Sequence, residues 1–479
     1  MLDGISELRD RFITVDVFGG RDAIRRNAAS LREAVQWLRG GHLLVVFPSG
    51  EVSHWQSRQC GIADPPWNTL AARCATIAGT PVVPAFFAGD NSFVFQLAGF
   101  VHPRLRTARL PAELLNKRGR TIEIRFGSAV PPRDLTQCGS LQQATSYLRA
   151  RTYMLGRRQL SDIPPRPAFL PFRPRIRLAS IAPETGGVAG EIANLKGEGN
   201  CTVDCSSYSV YRAVGRHIPA ILNEVGRLRE IAFRLVGEGS GNNIDLDRFD
   251  NDYTHLILWH KADAKIAGAY RLAWTEDVLP TRGIGGLYTS TLFRYAPEFF
   301  AQLGPAVELG RSFVRPEYQK QFAALLLLWQ AIAAVVAARP TSPVLFGAVS
   351  ISSSYSEPCR QLMVEFLKQR RCRADLACFV KARHPFRLRA AQEPDFAAIA
   401  ETVQEFDELP LADLQDSVTV PVLLKQYLRL GGMVAGFNVD PKFSGALDGL
   451  LIADLRKAPK NLLSKYMGPQ VASSFLARF

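Results

Sequence analysis

Between Val307 and Ser356 the chain reads VELGRSFV, then RPEYQKQFAALLLLWQAIAAVVAARP, then, after a short turn, VLFGAVSISSSYS. An apolar segment, a basic turn, a long apolar helix and a second apolar segment admit few solutions. Two strands joined by a helical crossover is the simplest, which makes this part of the chain α/β. Glu308 and Arg311 stand three residues apart among Val307, Leu309, Phe313 and Val314. A carboxylate on a buried strand edge is desolvated and is a candidate general base. The turn from Pro316 to Gln321 leads into a helix whose first N–H groups can hold a phosphate. Phe322 to Ala338 is apolar apart from Gln330 and falls short of the ~20 residues of a membrane span. It reads as a buried helix.

The N-terminal half alternates helix and strand patterns. FITVDVFGG (12–20) reads as a strand entering a glycine turn. Asp22 to Arg39 reads as a helix, because Ile24, Ala28, Leu31, Val35 and Leu38 recur at three- and four-residue spacing. Gly40 and Gly41 end it, His42 to Phe47 reads as a buried strand, and Pro48 to Ser53 as a glycine turn at that strand's end. A helix over about Asn68 to Ala78 and a strand over Thr80 to Phe87 follow.

Prolines 164, 165, 167, 171 and 174 and a run of arginines mark 159–206 as a linker. It separates a domain over 1–158 from one over 207–479. Arginines beside Phe169, Leu170 and Phe172 suit either an anionic membrane surface, at ~1 kcal/mol each, or a solvated hinge. In the second domain Ile218 to Val236 reads as a helix, and the four-residue spacing of Arg229 and Phe233 places both on one face. The glycine-rich 237–243 gives way to Asp245, Asp247, Asp250 and Asp252, then to strands over His255 to Trp259 and Lys265 to Ala273. Helices are expected over about Asp395 to Asp407 and Val422 to Leu430, then strand, loop and strand from Phe437 to Asp454.

At 479 residues, 47% hydrophobic and 21% charged, the chain is globular and long enough for two or three cores. The net charge of +14 suits an anionic membrane or an acidic protein. Zinc-finger, RRM-like and helix-turn-helix patterns are lacking, so nucleic acid is not an expected partner. Eight scattered cysteines lack metal-site spacing and read as reduced thiols; no metal is expected. The opening residues lack the long apolar core of a signal peptide, and a cytoplasmic protein on the inner face of the membrane is expected.

The segments LREIAFRLVGEG (228–239), DLDRFDNDYTHLILW (245–259), ELGRSFV (308–314), VLFGAVSISSSY (344–355) and LLKQYLRLGGMVAGFNVDPKFSGALDGLLIADL (423–455) together resemble the GNAT superfamily. More narrowly, they resemble the acyl-carrier-protein-dependent N-acyltransferases that make ornithine lipids; homoserine-lactone synthases are more distant. The resemblance implies a GNAT-like mixed α/β domain with Glu308 as base. It implies an acceptor site drawn from Arg229, Phe233, Asp247, Asp250, Asp252, Arg271 and Arg311, the acids holding an amine and an arginine the acceptor's carboxylate. The thioester would lie against Phe313, Val314, Arg315, Gln319 and Lys320, its oxygen polarised by the backbone N–H groups of 313–315. Where the family's pyrophosphate loop carries glycine, this chain has Gln319 to Ala324 without one, which favours a carrier-linked donor over coenzyme A. No cofactor beyond the acyl donor is implied.

FPSGEVS (47–53) and PVVPAFF (81–87) are similar to the third and fourth motifs of lysophosphatidic acid acyltransferases, and Ile13 to Arg21 falls where their second lies. The resemblance implies a glycerolipid-acyltransferase-like α/β domain whose acceptor-phosphate site includes Arg21, Ser49, Gly50, Glu51 and Pro84. That family's base is the histidine of an H-x4-D motif. The first histidine here is His42, Phe47 stands where the aspartate belongs, and no such motif precedes the strand. Ester formation is therefore expected to be slower by a factor on the order of 10²–10⁴ or more. A truncated start and a scaffolding domain both fit.

Joined in this order, the two domains resemble bifunctional ornithine lipid synthases. The expected reaction moves a (3-hydroxy)acyl chain from acyl carrier protein to the α-amine of ornithine, giving lyso-ornithine lipid. The alternatives are another acceptor (glycine, lysine or glutamine), a lysophospholipid O-acyltransferase, and a non-catalytic membrane-associated protein that binds lipid or carrier.

Overall fold

The computed structural model describes residues 12–13, 21–57, 61–158, 186–319, 322–387 and 395–479. Two compact units emerge: 1–164 with 388–419, and 165–387 with 420–479. Both are mixed α and β.

In the first unit a helix over Arg21–Arg39 precedes two short antiparallel pairs, His54–Gln56 with Gly61–Ala63 and Ala85–Phe87 with Ile124–Phe126. The expected strand over 42–47 is absent: no described strand pairs with it, and Leu43, Val45 and Phe47 face solvent. Its apolar run lacks a neighbour to supply the ladder that makes a strand. The helix Leu141–Gly156 gives this unit its centre, burying Leu148, Met154 and Leu155. The segment after 394 returns to it. Helix Phe396–Thr402 packs on Leu141–Gly156, and Asp413 receives Arg151 Nε and Nη2 at 3.0 and 2.7 Å. The same carboxylate accepts the N–H and hydroxyl of Ser128, each at 2.8 Å.

The second unit is organised by eight strands: β1 (Cys201–Asp204), β2 (Tyr208–Val214), β3 (Thr254–His260), β4 (Lys265–Trp274), β5 (Ala306–Val314), β6 (Val344–Ile351), β7 (Met433–Asp440) and β8 (Ala446–Asp454). Their order across the sheet is β7-β8-β6-β5-β4-β3-β2-β1. Every pair is antiparallel except β5 with β6. Those two need a crossover, which the long apolar helix after the basic turn provides. The helix over Pro219–Leu235 (α1) packs Ile221, Val225 and Leu228 against Ile257, Trp259 and Phe313. A second cluster joins Phe293, Phe299, Phe346, Leu450 and Ile452.

The described part of the span expected as linker is not irregular. Val188–Gly197 is helical, with Ile192 and Leu195 in the α1 core, and Cys201–Asp204 is the edge strand β1. Proline density lies upstream, in 159–185, outside the described residues. Few apolar residues were enough to anchor this short helix.

One local feature positions the site. Strands β5 and β6 pair only from Ala306/Val344 to Glu308/Phe346 and then part, although both continue. At the parting, β5 bulges against β4 between Gly310 and Phe313, and Arg311 takes a left-handed backbone conformation, φ +52°. Gly347 allows the last close approach, since a Cβ there would lie 2.1 Å from the Leu309 carbonyl oxygen.

Candidate active site

Glu308 is the last β5 residue paired with β6, and it is buried. Tyr253 Oη donates to its Oε2, the Tyr288 N–H reaches the same oxygen at 3.0 Å, and the Thr289 N–H reaches Oε1 at 2.7 Å. The Tyr288 N–H also lies 2.9 Å from Tyr253 Oη. Glu308 thus receives the leading N–H groups of the turn Tyr288–Thr291 as a cap residue would, and that turn is fixed to the parting strands. It makes no ion pair with Arg311, three residues further along β5. Burial, then the neighbouring Glu308 charge, pushes the Tyr253 hydroxyl far above its ordinary range.

Beside Glu308 lies a network of three arginines and three aspartates. Arg229, from α1, donates to both Asp250 oxygens at 2.9 Å and to the Asp245 carbonyl. Arg271, from β4, grips both Asp247 oxygens at 2.7 and 2.9 Å and reaches Asp250 at 2.9 Å. Arg311, on the bulge, faces Asp245 at 3.4 Å and Asp247 at 3.7 Å. Three positive and three negative charges cancel, which is the condition for burying them. Burial alone would raise Asp250, but Arg271 and Arg229 hold it well below the usual carboxylate range. Asp247 is lowered likewise, burial being outweighed chiefly by Arg271.

Aromatic rings complete the enclosure. The Arg271 guanidinium lies 4.9 Å from the Tyr288 ring centre and 5.3 Å from that of Tyr253. Arg311 sits between the rings of Tyr288, at 5.0 Å, and Phe443, at 4.6 Å. Phe443 in turn meets Phe233 edge to face, 5.2 Å between centres. Arg229 and Phe233 therefore act one helical turn apart, the arginine on the aspartates and the ring on the aromatic wall. Tyr288 joins the two halves: its N–H caps Glu308 while its hydroxyl is pushed up to about 12, by burial first and then by Asp448 and Asp440.

Other expected residues lie elsewhere. Asp252 turns away to Arg216 and Arg282, because the loop carrying it faces the start of α1. Phe313 is a core residue against Ile218 and Val225. The Arg315 N–H is already engaged by the Ala267 carbonyl at 2.8 Å, so it is not a donor for an incoming oxygen. Val314 continues the ladder opposite Gly268. Gln319 Nε2 binds back to the Val314 carbonyl at 2.9 Å, and Lys320 lies outside the described residues. Arg271 is engaged by Asp247 and Asp250, Arg311 faces Asp245 and Asp247 at 3.4 and 3.7 Å, and the Nε of each has no hydrogen-bond partner among the described residues. His255 is buried with Nε2 2.8 Å from the Asp250 carbonyl. Tyr253 and Tyr288 have no signal in spacing, since their roles depend on a turn brought in from 35 residues downstream.

In the first unit Gly50 has φ +67°, Ser49 Oγ donates to the Glu51 carbonyl at 2.7 Å, and the Glu51 carboxylate pairs with Arg106 at 2.9 Å. Pro84 is buried next to the Ala85–Phe87 strand. Residues 14–20 lie outside the described residues, and the side chain of Arg21 is not described.

A mixed sheet with one parallel pair that parts beside a bulge, and a charged site at the parting, defines a GNAT-type acyltransferase domain. The model of the acetyltransferase (GNAT) domain family matches residues 228–330, and an acyltransferase family model matches 1–161. The glycine N(alpha)-acyltransferase of Bacteroides thetaiotaomicron is 35% identical over 175 residues, 34% of this chain and 52% of that protein. The L-ornithine N(alpha)-acyltransferase of Rhodobacter capsulatus is 30% identical over 219 residues, 44% of this chain and 75% of that protein. That of Rhizobium meliloti is 28% identical over 304 residues, 61% of this chain and 90% of that protein. The chain belongs to the family of these amino-acid N(alpha)-acyltransferases. It spans about half the length of the glycine-named relatives it matches. No solved structure matches.

Proposed function

We propose that the second unit moves a (3-hydroxy)acyl chain from acyl carrier protein to the α-amine of ornithine, giving lyso-ornithine lipid. The observation that carries this reading is the parting of β5 and β6 at Glu308, with the charge-neutral network beside it. A carboxylate at that point is in place to take the proton a primary ammonium must lose before its nitrogen can attack. The amine nitrogen then bonds the thioester carbon, the C–S bond breaks, and the departing sulfur takes the proton the nitrogen sheds, so that the thiol leaves on its carrier and the amide keeps one N–H. Of the lone-pair sites on Glu308, one on Oε1 is not used by the three donors, and it is the proposed acceptor of that proton, directly or through one water. The names of the Rhodobacter and Rhizobium relatives support ornithine, and the net charge of +14 supports an acidic carrier protein.

Glycine is the second acceptor reading, favoured by the Bacteroides relative. No chemical step is assigned to the first unit, whose Glu51 is engaged by Arg106. That unit is proposed to rest on an anionic bilayer. Phe93, Phe100, Val101, Leu114 and Leu115 are exposed on helices flanked by Arg104, Lys117 and Arg118. Among the described residues no helix is long and apolar enough to cross a membrane.

The test is acyl transfer by the purified chain from 3-hydroxyacyl carrier protein to single amino acids, read by mass spectrometry. N-acylated ornithine is the expected product, and Glu308→Gln should lower its kcat by a factor on the order of 10²–10⁴. Acylation of no amine from any donor would overturn the reading. Undiminished turnover by the variant would remove Glu308 from the mechanism.

A further inference from the structure

Beyond the six-charge network, the same end of the sheet buries three more carboxylates, Asp448, Asp440 and Glu238. Asp448 lies on β8 directly opposite Ser350 of β6 and Asn438 of β7, so the three side chains share one face. Asp440 is two residues along β7 from Asn438 and projects from that face. Glu238 enters from the loop after α1 and accepts the Ser350 hydroxyl at 2.7 Å. All three acids are more than nine-tenths buried.

Their partners are unequal. Asp440 Oδ1 accepts the Lys442 N–H at 2.9 Å, an ordinary turn contact. Asp448 Oδ2 is buried with no hydrogen-bond partner among the described residues. Opposite it, Asn438 Oδ1 is held by the His384 N–H at 2.8 Å, while its buried Nδ2 also lacks a partner there. A buried carboxylate oxygen without a partner is unfavourable until a donor satisfies it. Burial, then Asp440 and Glu238, drives Asp448 well above the usual carboxylate range, with Arg311 pulling the other way. Burial likewise raises Glu238. Arg311 cannot neutralise them, since Asp245 and Asp247 already face it.

We infer that Asp448, with Glu238 and Asp440, forms a subsite for a second ammonium group on the acceptor, separate from the amine that is acylated. The ligand class is a basic amino acid whose side chain ends in a primary amine. The partnerless Asp448 Oδ2, on the same face as Asp440 and bridged to Glu238 through Ser350, is an acceptor suited to the N–H donors of an ammonium ion. The link to the reacting end is Tyr288, whose N–H binds Glu308 and whose hydroxyl feels Asp448 and Asp440. The glycine-rich loop 237–243 carries Glu238 over the site, tied to it by the Ser444 hydroxyl on the Gly239 carbonyl at 3.2 Å. The inference rests on the amino-acid N-acyltransferase reading for its ligand, and it selects the diamino acid over glycine.

The experiment compares L-ornithine with L-norvaline, which has the same carbon chain without the terminal amine. With acyl carrier protein as donor, the ratio of kcat/KM for ornithine over norvaline should exceed ten in the natural chain. Asp448→Asn and Glu238→Gln, each checked for an unchanged unfolding transition, should each lower that ratio at least tenfold. Equal use of the two acceptors, or a ratio the variants leave intact, overturns the subsite while leaving the acyltransferase reading in place. If no amine is acylated, binding decides separately. Ornithine, not norvaline, should raise the thermal midpoint of the natural chain and not that of Asp448→Asn, and an equal shift with norvaline overturns the subsite.

Discussion

Each unit buries an arginine on aspartate, and the two arrangements differ in what they leave unpaired. In the first unit Arg151 places every side-chain nitrogen: Nε and Nη2 on Asp413, Nη1 on Tyr147, Nη2 also on the Ser128 carbonyl. In the second unit Arg271 Nε, Arg311 Nε and Asp245 Oδ2 lack partners among the described residues, and aromatic faces stand where further acceptors could have been. The first arrangement is closed and fastens a segment that returns from 262 residues away. The second is balanced in charge but not saturated in hydrogen bonds. The first is saturated where it fastens the fold, and the second keeps hydrogen-bonding capacity beside Glu308.

The largest effects should come from removing one arginine in each. Arg271→Met takes the paired grip from Asp247 and leaves Asp250 to Arg229 alone, a loss of about 3–5 kcal/mol for a broken buried pair, and it should abolish acyl transfer. Arg271→Lys should not rescue it, because one ammonium cannot make the paired grip on Asp247. Arg151→Met should cost a similar amount but leave N-acyl transfer intact. Denaturant titration and turnover on the same samples check both. Loss of transfer in Arg151→Met with its unit still folded would erase the distinction between closed and open.

The sequence carried the frame of this molecule better than its site. Apolar spacing of three and four located the helix at 21–39, the continuous apolar run located the one at 322–338, and the helix read over Ile218 to Val236 stands at 219–235. The same logic misread 42–47, since an apolar run predicts burial only where a partner strand exists. In the site, the acid cluster drew attention to 245–252, yet spacing could not show that Asp252 turns to Arg282 while Asp245 joins the network. Nor could it bring in Tyr288, Glu238, Asp440 and Asp448. These are single residues on separate elements: the sheet order sets Asp440 beside Asp448, and a turn and a loop bring in Tyr288 and Glu238.

A smaller effect should follow from loosening Glu308 without charging or stranding an arginine. Tyr253→Phe removes one of its three donors, while the Tyr288 and Thr289 N–H groups remain. A loss of about 1–3 kcal/mol is expected for a buried carboxylate left one donor short. If Glu308 must be held at a fixed angle, kcat should fall with little change in KM for the amine. A variant with unchanged kcat would mean that the turn at 288–291 alone orients the carboxylate.

The smallest effect concerns pH and tests whether the second unit tolerates one more charge. His255 donates through Nε2 to the Asp250 carbonyl, its Nδ1 has no partner among the described residues, and burial pushes its pKa down to about 4. Asp250 opposes that fall, but Arg229 and Arg271 lie close enough to add to it. An unfolded histidine titrates near 6.5, so between about 6.5 and 4 the unfolded state binds the extra proton. Stability from this residue is therefore complete above about pH 6.5 and drains away as pH falls towards 4, by up to about 3 kcal/mol. His255→Gln keeps a donor for the Asp250 carbonyl and cannot titrate. Unfolding free energies measured across that range should fall less steeply for the variant, and the two curves should run parallel above pH 7. Parallel curves throughout would mean that the aspartates of the network accept an imidazolium beside them, and that its charge balance is looser than three against three.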